Sequence, residues 1–438
     1  MTFLEIFYMH APDEDFNSKI KKLEKLFYKG DMSIVIPQAI ELIKEYDSGT
    51  ACNILALAHK GLGNYALAQR IYERLLTSSP ENATFLGNLG NIYNDVGKLD
   101  KAEECFTKAL SIDPKKINTS VSLGNILAST NRSDDALSIF KMALKVHDKI
   151  TPALVDDINY RIADVYRQKG DSFLDNAIKH YKRSNQPLSS AHRLELIYKS
   201  KDKATYYKTE KQINVKGELN PLLAAVQTHA SYRYAMPDTN LFCKDPFKYI
   251  YHSKLTLDEG FNEDLVENLL RAKNSLSAIP QKLINNGSQS AGNFLLSDDP
   301  SVQTIKKIIL NRIKNYRNNY KTSNDGFVSR WPKKSEIYGW IIDIKQGGSL
   351  DSHMHKLGWL SGSLYLKLNK PLGSNQGNII FDLNGADYPA DLKSFPSKAY
   401  NIEKGDIILF PSSLFHKTVP FESKENRITL AFDIKPVF

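Results

Sequence analysis

A spacing of 34 residues, kept in register over successive copies, constrains this 438-residue chain more than any other feature. In the copy that starts at Ala83 the marker residues are Leu86, Leu89, Gly90, Tyr93, Gly97, Leu99, Ala102, Phe106, Ala109 and Pro114. One period earlier stand Leu55, Ala56, Gly63, Tyr65, Ala68, Tyr72, Leu75 and Pro80, and one period later Leu123, Gly124, Leu127, Ala136, Phe140 and Ala143. A further copy carries Ile162, Ala163, Tyr166, Gly170, Ala177 and Tyr181, with two extra residues between its glycine and its alanine. Small residues at the eighth and twentieth positions let two helices approach closely, and large ones at positions seven, eleven and twenty-four fill the space between pairs. One such pair cannot bury its apolar face alone, so the copies must stack.

Period, small-residue placement and terminal proline together resemble the tetratricopeptide repeat over about residues 30 to 186. The resemblance implies a curved all-α solenoid whose concave groove binds a protein or peptide partner; a dimerisation or spacer surface is the blander use of the same shape. Segments 15–29 and 33–46 read as a first, degenerate helix pair acting as a polar cap, and 188–200 and 217–234 as closing helices. His59, His147, His180 and His192 stand singly and read as packed or surface residues.

Composition excludes several classes. Hydrophobic residues are 42% and charged residues 24%, a globular mixture rather than a disordered one. No apolar run reaches the roughly 20 residues of a membrane span. The run Phe3 to Met9 is interrupted by Glu5, lacks a basic flank and leads into Asp13, Glu14 and Asp15, so it is not read as a signal peptide. Cys52, Cys105 and Cys243 are far apart and form neither a disulfide framework nor a zinc ribbon. These features together point to the cytoplasm. The net charge of +9 includes one basic stretch, Lys306 to Lys321, whose Ile305, Ile308, Ile309, Ile313 and Tyr316 recur at helical spacing. It reads as an amphipathic helix with a solvated basic face, and a nucleic-acid partner is disfavoured.

After Pro237 the repeat stops. Helices are expected over 261–276 and 301–320, and strands over 336–345, 349–356, 360–368, 378–383, 406–410, 417–420 and 427–434. Many short antiparallel strands suggest a double-stranded β-helix, the jelly roll of cupins. The expected organisation is a helical solenoid over 1–210, a closing helix and linker over 211–245, and a jelly-roll domain with flanking helices over 246–438.

Three of the ten histidines, His353, His355 and His416, fall in the strand-rich stretch after Ser335. Residues i and i+2 of a strand share a face, so Asp351, His353 and His355 are aimed one way; His416 follows 61 residues after His355, and Arg427 eleven after that. The stretches HMHKLGWLSGSLYLKL, GDIILFPSSLFHKTVP and NRITLAFDI resemble the 2-oxoglutarate and Fe(II)-dependent oxygenases, with the motifs between 353 and 434 and the likeness running from about 246. The resemblance implies Fe(II) held on one face by His353, His355 and His416, with O2 as a reactant. It implies 2-oxoglutarate as cosubstrate, its far carboxylate on Arg427 with help from Thr429 and Tyr365. Most of the superfamily has His-x-Asp or His-x-Glu where this chain has His-x-His, and Asp351 is an alternative ligand that would restore the carboxylate. Trp340 and Trp359 are candidates for a substrate pocket, the loop from Gly385 to Pro396 for a lid, and the turn-rich run Asn286 to Asn293 for a neighbour of the site.

The reading that unites these features is a dioxygenase that converts 2-oxoglutarate to succinate and CO2 while hydroxylating a C–H bond, with a protein or peptide side chain docked by the repeats. Two alternatives stay open: a three-histidine dioxygenase that works without 2-oxoglutarate, and a non-catalytic adaptor with a degenerate barrel. The sequence leaves the oligomeric state open.

Overall fold

The computed structural model describes residues 14–145, 150–279, 281–368, 375–385, 387–391 and 394–437. The run 3–9, His147 and, in the expected lid, Ala386, Leu392 and Lys393 lie outside them. The chain forms two compact units: the described residues of Met1–Asp148 with Leu296–Asp298, and those of Lys149–Leu295 with Asp299–Phe438.

The first unit is a run of antiparallel helix pairs: α1 (Glu14–Lys29) and α2 (Met32–Tyr46), α3 (Gly49–Gly61) and α4 (Tyr65–Ser78), α5 (Ala83–Asp95) and α6 (Leu99–Ile112), α7 (Ile117–Ser129) and α8 (Ser133–Lys145). The small eighth position works as its chemistry predicts. A Cβ on Gly90 would stand 2.6 Å from the Phe106 ring, and one on Gly124 would stand 2.5 Å from Phe140. Both rings are fully buried, so α5 lies directly on α6 and α7 on α8. Starts are capped locally: the Asn82 side chain accepts from the Thr84 and Phe85 amides at 3.0 and 3.1 Å, satisfying donors the helix leaves open.

The second unit begins with α9 (Pro152–Gln168), α10 (Leu174–Lys182), α11 (Ser189–Ser200), α12 (Lys203–Asn214) and α13 (Pro221–Tyr234). Helix α12 falls where no element was expected. Helix α13 is buried on every side from Pro221 to Ser231, the mark of a central helix rather than a surface one. Then follow β1 (Tyr251–Lys254), α14 (Glu263–Lys273), β2 (Ala278–Ile279), β3 (Ile284–Ser290), α15 (Pro300–Tyr320), α16 (Gly326–Ser329), β4 (Ser335–Leu350), β5 (Leu360–Lys367), β6 (Ile379–Asp382), β7 (Ser397–Tyr400), β8 (Asp406–Pro411), β9 (Phe415–Thr418) and β10 (Arg427–Pro436).

The strands make two antiparallel sheets, in the orders β1-β8-β5-β10-β4-β3-β2 and β7-β6-β9, consistent with a jelly roll. Strand β10 decides the layering. Ile428, Leu430, Phe432 and Ile434 join an apolar core with Leu269 of α14 and Ile305 and Ile309 of α15, whereas Arg427, Thr429, Ala431 and Asp433 face a cavity on the other side. The basic stretch is therefore the outer face of α15, which buries Ile305, Ile308, Ile309, Ile313 and Tyr316.

Three local expectations change. The turn-rich run at 286–293 largely belongs to β3, which pairs with β4 across an irregularity between Asn285 and Gly287, where Asn286 takes a φ of 51°. Strand β7 was not foreseen. The expected strand at 349–356 is not one: β4 ends at Leu350, and beyond it His353 alone makes a bridge, to His416. The chain here must cross from the large sheet to the small one, which breaks the ladder.

Candidate metal centre

The bridge between the sheets sets the site. The His353 amide donates to the His416 carbonyl at 3.1 Å, and the His416 amide to the His353 carbonyl at 2.9 Å. That exchange makes the two residues direct antiparallel neighbours, so their side chains emerge together on one face. His353 and His355 then share that face, and the three rings have centroids 4.2 to 5.2 Å apart. One nitrogen from each lies within 4.8 Å of the others, the one group of metal-competent side chains of this kind among the described residues.

The Nδ1 atoms are all occupied elsewhere. His353 Nδ1 faces the Asp351 carbonyl at 2.8 Å, His416 Nδ1 the Leu414 carbonyl at 3.3 Å, and His355 Nδ1 the Asp433 carboxylate at 2.6 Å. Each partner accepts hydrogen bonds, so each ring places a proton on Nδ1 and turns Nε2 to the shared space. The Nε2 atoms of His353 and His355 are 3.3 Å apart. Burial, reinforced by the neighbouring His355, pushes His353 down to about 4, and burial with both other rings holds His416 well below its usual value. At neutral pH both rings are therefore free bases, the form that ligates metal.

A cavity of about 350 Å³ opens from the histidines across the inner face of the large sheet. Arg427, Thr429 and Asp433 of β10 line it, facing Ile344, Ile342 and Tyr338 of β4 in register. Tyr365, paired with Thr429 across β5, lines it too, as does Trp340, whose ring sits 5.5 Å from that of His355. Arg427 is 3% exposed. One terminal nitrogen donates to the Gly377 carbonyl at 2.9 Å, the guanidinium lies 5.1 Å from the Tyr365 ring centre, and Nε has no hydrogen-bond partner among the described residues. Burial lowers its pKa from the usual value. A buried guanidinium with a donor to spare suits a carboxylate. The donor set fits an imidazole-ligated cation, and the Arg427 pocket fits an acid bound beside it.

Two candidates from the sequence lie elsewhere. Asp351 is exposed, and its carboxylate accepts from the Asn285 amide at 2.7 Å; only its backbone carbonyl serves the site. Trp359 is packed in the core, edge-on to Phe242, with its indole N–H on the Phe327 carbonyl at 2.8 Å. Of the expected lid, Tyr388 is buried and donates to Glu195 at 3.3 Å, while Asp391 pairs with Arg233 at 2.7 Å, so these parts of the loop hold to helices α11 and α13.

The helices also brace the histidines. Met354, between the two ligating candidates, and Phe415, beside the third, belong to an apolar cluster with Leu188, Leu194, Tyr198 and Val226. Next to His355, Lys356 reaches Glu195 of α11 at 3.7 Å. Burial alone would raise the Glu195 carboxyl; Lys356, His192 and Lys199 outweigh it and hold it below the usual range. Sequence reasoning missed Asp433, although it stands in phase with Arg427 and Thr429 on a strand whose alternate residues Ile428, Leu430, Phe432 and Ile434 are apolar. That phase was the available signal.

The family described as “Putative 2OG-Fe(II) oxygenase” matches residues 338–433, and tetratricopeptide-repeat families match residues 49–82 and 83–116. The chain joins tetratricopeptide repeats to a domain of this oxygenase family. None of the curated proteins compared with it matches. Among solved structures, a tetratricopeptide repeat protein from Parabacteroides merdae ATCC 43184 is 14% identical, covering 59% of this chain and 98% of its own, with a TM-score of 0.41. A thermophilic tetratricopeptide-repeat protein of Thermus thermophilus is 21% identical over 44% of this chain and 97% of its own, with a TM-score of 0.33. MamA AMB-1 is 23% identical over 39% and 95%, also at 0.33. No helix among the described residues is long and apolar enough to cross a membrane.

Proposed function

We propose that the oxygenase domain is a 2-oxoglutarate- and Fe(II)-dependent dioxygenase that hydroxylates a C–H bond, and that the substrate is a protein or peptide side chain held with help from the repeats. His353, His355 and His416 would hold the iron, and Arg427, Thr429 and Tyr365 the cosubstrate. The observation that carries this reading is one cavity containing both three convergent imidazole nitrogens and a buried guanidinium with an unused donor.

When bound, iron and 2-oxoglutarate supply the oxidising chemistry, in which the cosubstrate is decarboxylated to succinate. The protein's share is binding and orientation. The Nδ1 hydrogen bonds orient the three rings and leave Nε2 as the atom each offers to a metal. Arg427 neutralises a carboxylate in a site whose dryness strengthens the pairing, and Thr429 offers a hydroxyl on the same strand face. Ile342, Ile344 and Trp340 give the space an apolar wall beside the histidines. The repeats support a polypeptide substrate because such arrays generally bind proteins.

The test is formation of succinate from 2-oxoglutarate by the purified protein with Fe(II) and O2, without added substrate. Slow turnover that needs both additions, and that His416→Ala abolishes, is expected. Iron binding without any turnover or any effect of 2-oxoglutarate would move the reading to a three-histidine dioxygenase.

A further inference from the structure

We propose that Asp433 is a positioning residue of the metal centre, acting through His355 to supply the negative charge that three neutral ligands lack. The inference rests on the functional reading above and goes beyond it, since it concerns a residue outside the ligand set.

A divalent cation on three imidazoles keeps its full charge in a buried site, where an uncompensated ion is costly. The chain places a carboxylate one ring away. Asp433 Oδ1 accepts from His355 Nδ1 at 2.6 Å and from the Ser361 hydroxyl at 2.8 Å, and Ser361 in turn lies 2.7 Å from the Ser412 hydroxyl. Strand register sets this cage: Asp433 of β10 lies opposite Ser361 of β5, which neighbours β8, where Ser412 follows directly. The cage is also tight. A Cβ on Gly358 would stand 2.5 Å from the Ser412 hydroxyl and 3.1 Å from Asp433 Oδ1. Asp433 is 4% exposed, and the ionisable side chain in direct contact with it among the described residues is His355; Lys435, two residues on, acts on it only through space.

A buried carboxylate hydrogen-bonded only to imidazole and hydroxyl groups, with Lys435 acting on it through space but not paired to it, lacks a direct cationic partner. A dication on the far nitrogen of His355 provides a counter-charge, and the carboxylate in return makes that imidazole a more basic, more donating ligand. Each charge offsets the cost of the other through one ring. The Nδ1–H tautomer of His355 follows from the same contact.

The experiment is titration of the full chain with Co(II), read by its visible absorption, with the far-ultraviolet spectrum and the melting temperature of the metal-free protein as controls. Asp433→Asn keeps the shape and removes the charge, and affinity is expected to fall about 10- to 100-fold. Charge, rather than packing, is tested in a second background. His355→Asp puts a carboxylate into the ligand set itself, so adding Asp433→Asn there should cost less than about 2-fold, a loss far short of the range for the single change. Ser361→Ala, which keeps the carboxylate but removes a hydroxyl that aims it, serves if Asp433→Asn does not fold, and should weaken binding by less. Unchanged affinity in Asp433→Asn, or in Ser361→Ala where that variant serves, or the same loss in both backgrounds, would overturn the inference while leaving the function standing. Failure of the unaltered protein to bind Co(II) would overturn both.

Discussion

Under the proposed function, replacing Arg427 with methionine removes the partner of the cosubstrate's far carboxylate. The side chain is 3% exposed, and methionine fills much of its volume without charge, so the fold should survive: exchanging a buried ion for an apolar group is often neutral. What disappears is a charge-assisted contact in a dry cavity, worth about 1.5 to 3 kcal/mol. The upper end applies, because the Gly377 carbonyl takes only one donor and Nε is left over for a ligand. At about 1.4 kcal/mol per decade, 3 kcal/mol is roughly a 150-fold weaker affinity. The assay is anaerobic titration of the Fe(II)-loaded protein with 2-oxoglutarate, followed by the visible band of the chelated 2-oxo acid. Pyruvate, which has the chelating end but no far carboxylate, is the control. The unaltered protein should prefer 2-oxoglutarate by about the same factor, roughly 150-fold, and Arg427→Met should bind the two acids about equally. If the variant keeps the preference, Arg427 does not receive that carboxylate and the cosubstrate assignment fails.

His416→Ala removes the donor that joins the two sheets' contributions, and Co(II) or Fe(II) affinity should fall by at least about 100-fold in a calorimetric titration. Met354→Ala empties part of the helical core beneath the histidine loop, since Met354 is 7% exposed. A loss of about 2 to 5 kcal/mol in urea unfolding is expected, together with weaker metal binding. Burial pushes the His229 imidazole, which contacts Tyr198 at 2.6 Å and Asn384 at 3.0 Å, down from 6.5 to about 4. The unfolded chain therefore binds a proton there before the folded one does. The stability it contributes is complete above pH 6.5 and is lost as pH falls towards 4, by about 3 kcal/mol. Unfolding at pH 7 and pH 4.5 should show a shallower loss in His229→Gln than in the unaltered protein, and parallel losses would refute the assignment.

Local patterns were legible from the residues without any coordinates. Gly90 and Gly124 against Phe106 and Phe140 could be read because close helix packing leaves a fixed period of small and large residues. The alternation in β10 and the order His-x-His, His, Arg pointed to residues that line one cavity, because a strand shows each face at every second residue. The rest came from how the elements pack. Folding put Asp351 outside and Asp433 inside, since the chain leaves the strand after Leu350 and the phase that made Asp351 a candidate ends there. It laid α11 and α13 against Met354 and Phe415, contacts between residues far apart in the chain that no periodicity records. And it closed the cage of Asp433, Ser361 and Ser412 through the register of three strands, which is set by how the sheet pairs rather than by any one segment.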